Sequence, residues 1–192
     1  MSDVERQRAL CYQVVAHLND YPTDEMRERL PMLRTATAEL PKAWAALLRP
    51  LLDRLEREPL LGLQADYVAT FDLKRRCCPY LTYYAHGDTR KRGMALLSFK
   101  TAYRKAGMVL DDSELPDHLG VALEFAATGD AEAGRQLLLD HRAGLELLKL
   151  SLTDIGSPYA GAVAAVSATL PKIRGDERDV VQRLIDQGPP DE

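Results

Sequence analysis

The sequence predicts an all-α fold, a single-domain helical bundle of about eight or nine helices. Three observations carry that prediction. Apolar residues recur at steps of three and four almost throughout. No run of alternating, β-branched residues reads as a strand. The breaks between helical stretches are short and marked by proline, glycine or capping residues. No internal repeat and no long linker divides the chain, so residues 1–186 read as one domain and 187–192 as a flexible tail.

Residues 4–20 place Leu10, Val14 and Leu18 at steps of four and stop at Tyr21-Pro22, because proline restricts the residue before it. Thr23 is the expected N-cap of the next helix, with Asp24 and Glu25 at its positive end. Met26, Leu30 and Leu33 share a face there, and Pro31 is expected to kink or divide it. Residues 42–58 carry a wide apolar stripe from Trp44 to Leu55, with a bend expected at Pro50. Pro59 closes that helix or opens the next, which runs to Phe71. Residues 72–79 read as a connection and 80–85 as a short segment before a turn at His86-Gly87-Asp88. Asp88 or Thr89 caps a long helix reaching Ala106, and Gly107 stops it. Residues 108–115 form a loop. Pro116 suits the first turn of a helix ending at Thr128-Gly129. Asp130 then caps one long helix whose buried seam is Leu138, His141, Leu145, Leu148 and Leu152. Gly156-Ser157-Pro158 ends it. A further helix runs to Leu170, and a last short one spans 176–186.

The chain has 192 residues, 46% hydrophobic and 28% charged, enough for a substantial core. Its net charge of -4 argues against a dedicated nucleic-acid binder. The three cysteines are odd in number and Cys77-Cys78 are adjacent, so no disulfide framework is implied and a reducing compartment fits. The first residues hold no apolar signal core, and no stretch approaches the roughly 18 apolar residues of a membrane helix. These features predict a cytoplasmic protein rather than a membrane one. Phosphate-cradling glycine loops and the GxSxG elbow are absent, and the four histidines are scattered. No motif of the chain points to a metal site, a phosphate-bound cofactor or nucleophilic catalysis.

Two stretches stand out. Residues 74–105 hold nine basic side chains and one acid, Asp88, so the remainder of the chain is strongly acidic. Arg90, Lys91 and Arg92 fall in the first turn of a helix, where the dipole disfavours cations. Such a run either pairs with the acidic remainder or forms a patch for an anionic group. The second stretch is 114–125. If Pro116 opens a helix, Asp117 and Glu124 share a face about 10 Å apart along the axis, with Gly120 between them. That arrangement makes a shallow groove flanked by carboxylates, suited to a basic amphipathic segment. His118, Val121, Ala122 and Phe125 then face the core. Alternatively, Glu114 and Asp117 simply favour the helix N-terminus.

The block Tyr67-Val68-Ala69-Thr70-Phe71-Asp72, with Arg75-Arg76, Tyr80-Leu81-Thr82-Tyr83-Tyr84 and Gly87-Asp88-Thr89-Arg90-Lys91-Arg92-Gly93, resembles the nitrate reductase molybdenum cofactor assembly chaperones. These are the NarJ type of the TorD/DmsD superfamily. Glu114-Leu115-Pro116-Asp117-His118-Leu119 with Leu123-Glu124-Phe125 is similar to the superfamily's E-x-PDH signature, and Leu18-Asn19-Asp20-Tyr21-Pro22 also fits. Pro79 departs from the aliphatic or small residue of the pattern. The resemblance implies a non-catalytic, all-helical cytoplasmic chaperone without a cofactor of its own. Its implied partner is the apo catalytic subunit of respiratory nitrate reductase, including that subunit's N-terminal segment. It would hold the subunit for molybdenum cofactor and iron–sulfur insertion before membrane docking. The partner-binding residues carried over are Tyr67, Phe71, Asp72, Asp117, His118, Glu124 and Phe125. Asp88, Arg90 and Arg92 follow in second rank, for turn structure or a second contact. The rival readings are a sibling chaperone for another molybdoenzyme, which the central block disfavours, and a nucleotide-binding protein, which the missing phosphate loop disfavours.

Overall fold

A computed structural model describes residues 2–111 and 114–173, with positions 175, 179, 181–183 and 186 beyond them. Ten α-helices lie among the described residues: α1 (Asp3–Leu18), α2 (Asp24–Ala38), α3 (Lys42–Arg57), α4 (Leu60–Tyr67), α5 (Tyr83–His86), α6 (Arg90–Lys105), α7 (Leu119–Thr128), α8 (Ala131–Asp140), α9 (Arg142–Asp154) and α10 (Tyr159–Thr169). A π-turn (Val68–Asp72) prolongs α4, and a 3-10 turn (Arg75–Cys77) follows. The described residues contain no named strand; one isolated bridge pairs Tyr80 with His118. The predicted last helix, 176–186, falls largely outside the described residues, and the tail 187–192 does so entirely.

Local chemistry sets most boundaries. Ser2 and Glu5 close a capping box on α1. The Thr23 hydroxyl accepts from Met26 N at 3.1 Å, and Asp130 accepts from the amides of Glu132 and Ala133. Gly107 and Gly156 end α6 and α9 at φ 76° and 67°. Pro31 and Pro50 divide neither helix. Both sit on solvent-exposed faces, while Leu30, Leu33, Leu48, Leu51 and Leu52 bury the opposite ones. That burial offsets the hydrogen bond each ring removes.

Helix α1 packs against α7, α10, α3 and α2, and its Val14, Val15 and Leu18 are fully buried. The predicted long helix after Asp130 is two helices, broken at His141 (φ -107°, ψ 21°). Two contacts account for the break. A Cβ on Gly144 would lie 2.5 Å from the Leu81 carbonyl, so α9 must approach the 81–84 segment at backbone distance. The His141 ring stacks on Phe99, with centroids 4.8 Å apart. The seam itself persists across the break: Leu138 on α8 and Leu145, Leu148 and Leu152 on α9 are all buried.

Candidate functional site

The two motif blocks meet in one knot. Residues 79–81 pair with 117–119: Leu81 N donates to Asp117 O at 3.0 Å, and Leu119 N to Pro79 O at 2.8 Å. Pro79 contributes only its carbonyl, so the missing N–H does not interrupt the pairing. This pairing delays the start of α7. The helix begins at Leu119 rather than Pro116, with His118 as N-cap, its Nδ1 accepting from Gly120 N at 3.2 Å. Asp117 therefore lies outside the helix and does not flank a groove with Glu124. It is fully buried. Its Oδ2 accepts from Thr82 N at 3.1 Å and from the Thr82 hydroxyl at 2.6 Å, with Arg92 Nη2 at 3.8 Å. Its Oδ1 has no hydrogen-bond partner among the described residues. Two tyrosines complete the knot: Tyr103 donates to Pro116 O at 2.6 Å, and Tyr80 to Glu114 Oε1 at 3.0 Å. The Tyr80 ring meets His118 edge-on at 5.5 Å.

A groove does form on this face, with different walls. It has a volume of about 410 Å³ and lies between α1 and α7. Ala16, Gly120 and Val121 line it, with Asp20, Glu114 and Glu124 as carboxylates and Arg29 as the one guanidinium. A second hollow of about 290 Å³ shares Glu114, Val121 and Glu124 and continues toward Leu110 and Phe125. Together they make a trough with acid on both sides of α7's N-terminal half. A Cβ on Gly120 would lie 3.2 Å from His118 Nδ1, so the glycine admits the capping ring.

Burial holds the His118 imidazole below its usual 6.5, against the upward pull of Glu114, Asp20 and Asp117. The neutral ring is the form that accepts from Gly120. The unfolded chain takes up this proton first as pH falls. Stability is therefore complete above about 6.5 and declines below it. His141, also held low by burial, acts in the same direction. Urea unfolding at pH 7.5 and 5.5 is expected to show a lower midpoint at 5.5, with a smaller drop in His118→Asn.

Tyr67 and Phe71 stand behind the trough. They are buried in an aromatic stack with Tyr159, at 6.0 and 4.9 Å, and half-exposed Tyr21 meets Tyr67 at 5.4 Å. Tyr67 donates to Asn19 O at 3.2 Å, and Gln64 to Pro22 O at 2.9 Å. These bonds fix the turn that carries Asp20. Burial raises the Tyr67 phenol well above its usual range. Asp72 is exposed at the end of the π-turn and does not line the trough. Phe125 is core, packed against Tyr103 at 4.6 Å.

Of the second-rank residues, Arg92 is turned inward. It pairs with Asp88 at 2.8 Å and stacks over Tyr80 and Tyr83 at 5.4 and 5.7 Å. That pairing explains one cation in the first turn of α6. Arg90 and Lys91 face solvent. Cys77 is buried and Cys78 half-buried, both as free thiols, and burial pushes Cys78 up to about 11.

The spacing argument placed Glu124 and Gly120 on one groove, where the structure has them, but it turned His118 and Val121 toward the core, whereas both line the groove. It missed Asp20, Arg29 and Ala16 on the opposite wall, and Thr82 and Tyr103 in the knot. The Leu18–Pro22 block and the Tyr80–Tyr84 block contained the signal for Asp20 and Thr82, without the contact that gives them a role.

A family model for the nitrate reductase delta subunit matches residues 37–165. The probable nitrate reductase molybdenum cofactor assembly chaperone NarJ of Bacillus subtilis (strain 168) is 32% identical over 185 residues, covering 90% of this chain and 94% of that one. The NarJ chaperone of Escherichia coli (strain K12) is 32% identical over 150 residues, 77% of this chain and 64% of that one. The nitrate reductase-like protein NarX of Mycobacterium tuberculosis (strain ATCC 25618 / H37Rv) is 46% identical over 125 residues, which are 65% of this chain and 19% of that one. The chain thus spans about a fifth of the length of that relative. A crystal structure of a putative redox enzyme maturation protein from Archaeoglobus fulgidus has the same fold, with a TM-score of 0.63 and 22% identity over 90% of this chain and 96% of that one. The central block and the E-x-PDH knot thus lie in a chain that belongs to the nitrate reductase delta subunit family, as a NarJ-type member.

Proposed function

We propose that this protein is an assembly chaperone for the molybdenum-containing catalytic subunit of a respiratory nitrate reductase. It works in the cytoplasm by binding and catalyses no reaction. It takes the apo subunit by a basic amphipathic segment at the subunit's N-terminus, laid as a helix in the trough between α1 and α7. It keeps the subunit open to molybdenum cofactor and iron–sulfur insertion before membrane docking. The observation that carries this reading is a groove lined by three carboxylates, Asp20, Glu114 and Glu124, against one guanidinium, Arg29, together with Ala16, Gly120 and Val121. An apolar lining buries the ligand helix's apolar face, and carboxylates select cations and fix its direction. Among the described residues no helix is long and apolar enough to cross a membrane.

The test is capture of the client. Tagged protein, purified from cells making nitrate reductase without molybdenum cofactor, is expected to carry the catalytic subunit, identified by mass spectrometry. Recovery of only another oxidoreductase's subunit would assign the chain to a sibling molybdoenzyme.

A further inference from the structure

We propose that two copies of this chain dock face to face, each laying the outward strip of α6 into the other's acidic trough. The free chaperone then covers its own peptide site. This rests on reading the trough as a site for a basic amphipathic helix.

Helix α6 has sixteen residues, and it carries six cations and no acid. Arg92 is used internally; Arg90, Lys91, Lys100, Arg104 and Lys105 are exposed. Between them, Met94 and Leu97 are 70% and 54% exposed. At helical spacing Met94, Leu97 and Thr101 form one ridge, with Lys100 and Arg104 along one flank and Lys91 and Lys105 along the other. A short apolar stripe bordered by cations is the chemistry the trough selects.

The two surfaces are neighbours on one molecule. Lys100 and Arg104 line a hollow together with Glu114 and Leu115, and Glu114 also borders the trough. A positive strip beside a negative groove is self-complementary under a two-fold rotation. Strip meets groove twice, and the assembly closes at two copies. Arg90 and Lys91 at the positive end of the α6 dipole gain carboxylate partners there that no described residue of the monomer supplies. Most of the attraction is between exposed charges, so salt weakens it.

Sedimentation velocity of the full chain tests this. In low salt a concentration-dependent monomer–dimer equilibrium is expected. It should shift to monomer in about 0.5 M salt, where the Debye length is below about 5 Å. A saturating synthetic peptide of the catalytic subunit's N-terminal segment should do the same. Lys100→Glu with Arg104→Glu should be monomeric yet still bind the peptide. Asp20→Lys with Glu124→Lys should be monomeric and not bind it. Mixing the two variants should restore a dimer, since each strip then faces a groove of opposite sign. A monomer at every concentration in low salt overturns the proposal, as does a dimer indifferent to these reversals. Binding of wild type to phosphatidylglycerol vesicles without self-association assigns the strip to lipid and also overturns it. Peptide binding by a strictly monomeric wild type removes only the dimer. A dimer that obeys the charge reversals without peptide binding removes only the reading of the trough as a peptide site.

Discussion

Asp117→Ala is expected to lower stability by about 3 kcal/mol. The side chain is fully buried, and its Oδ2 takes both the amide and the hydroxyl of Thr82. Alanine leaves that N–H without a partner in a site that water does not reach, and it takes from Arg92 the buried one of its two carboxylates, Asp117 and Asp88. Asp117→Asn keeps an acceptor oxygen and is expected to lose less than half as much. Urea unfolding reads the difference as a lower midpoint at an unchanged slope. An Asp117→Ala protein within about 0.5 kcal/mol of wild type would contradict the role assigned to the knot. Asp117 therefore serves the trough by holding its neighbours. The turn it anchors presents Glu114 and His118.

Phe125→Ala is the second large effect, expected to cost about 3–5 kcal/mol. The ring is buried beneath α7 against Tyr103, whose hydroxyl holds the Pro116 carbonyl. Its removal opens a cavity under one wall of the second hollow and loosens the Tyr103 bond. The resemblance alone would place Phe125 in contact with the partner peptide. The structure assigns it to the core, so stability must fall before affinity does. Unchanged stability with lost peptide affinity would reverse that assignment.

These two residues show where the sequence was legible and where it was not. Thr23, Asp130, Gly107 and Gly156 announce helix ends by local chemistry, and each acts as predicted. The seam from Leu138 to Leu152 is equally local, being a matter of spacing. Pro116 misleads because its fixed φ suits a helix start, while the following backbone pairs instead with residues 79–81. No local pattern encodes that pairing. The break at His141 has the same origin, since it depends on Gly144 meeting Leu81. The groove was predicted from Glu124 and Gly120 with Asp117 as the second acid. The acids that join Glu124 are Asp20 and Glu114, one from the turn after α1 and one from the loop before α7. Adjacency of α1 to α7 is a fact of packing, and it decides which carboxylates face each other.

The central claim is that Glu114 and Glu124 hold a basic amphipathic segment of the catalytic subunit. Calorimetric titration of that synthetic segment into wild type and into Glu114→Gln/Glu124→Gln tests it most directly. Both substitutions keep side-chain shape and remove only charge. A loss of affinity of about tenfold or more is expected at low salt, narrowing as salt is raised. Equal affinity for the two proteins at low salt would contradict the claim.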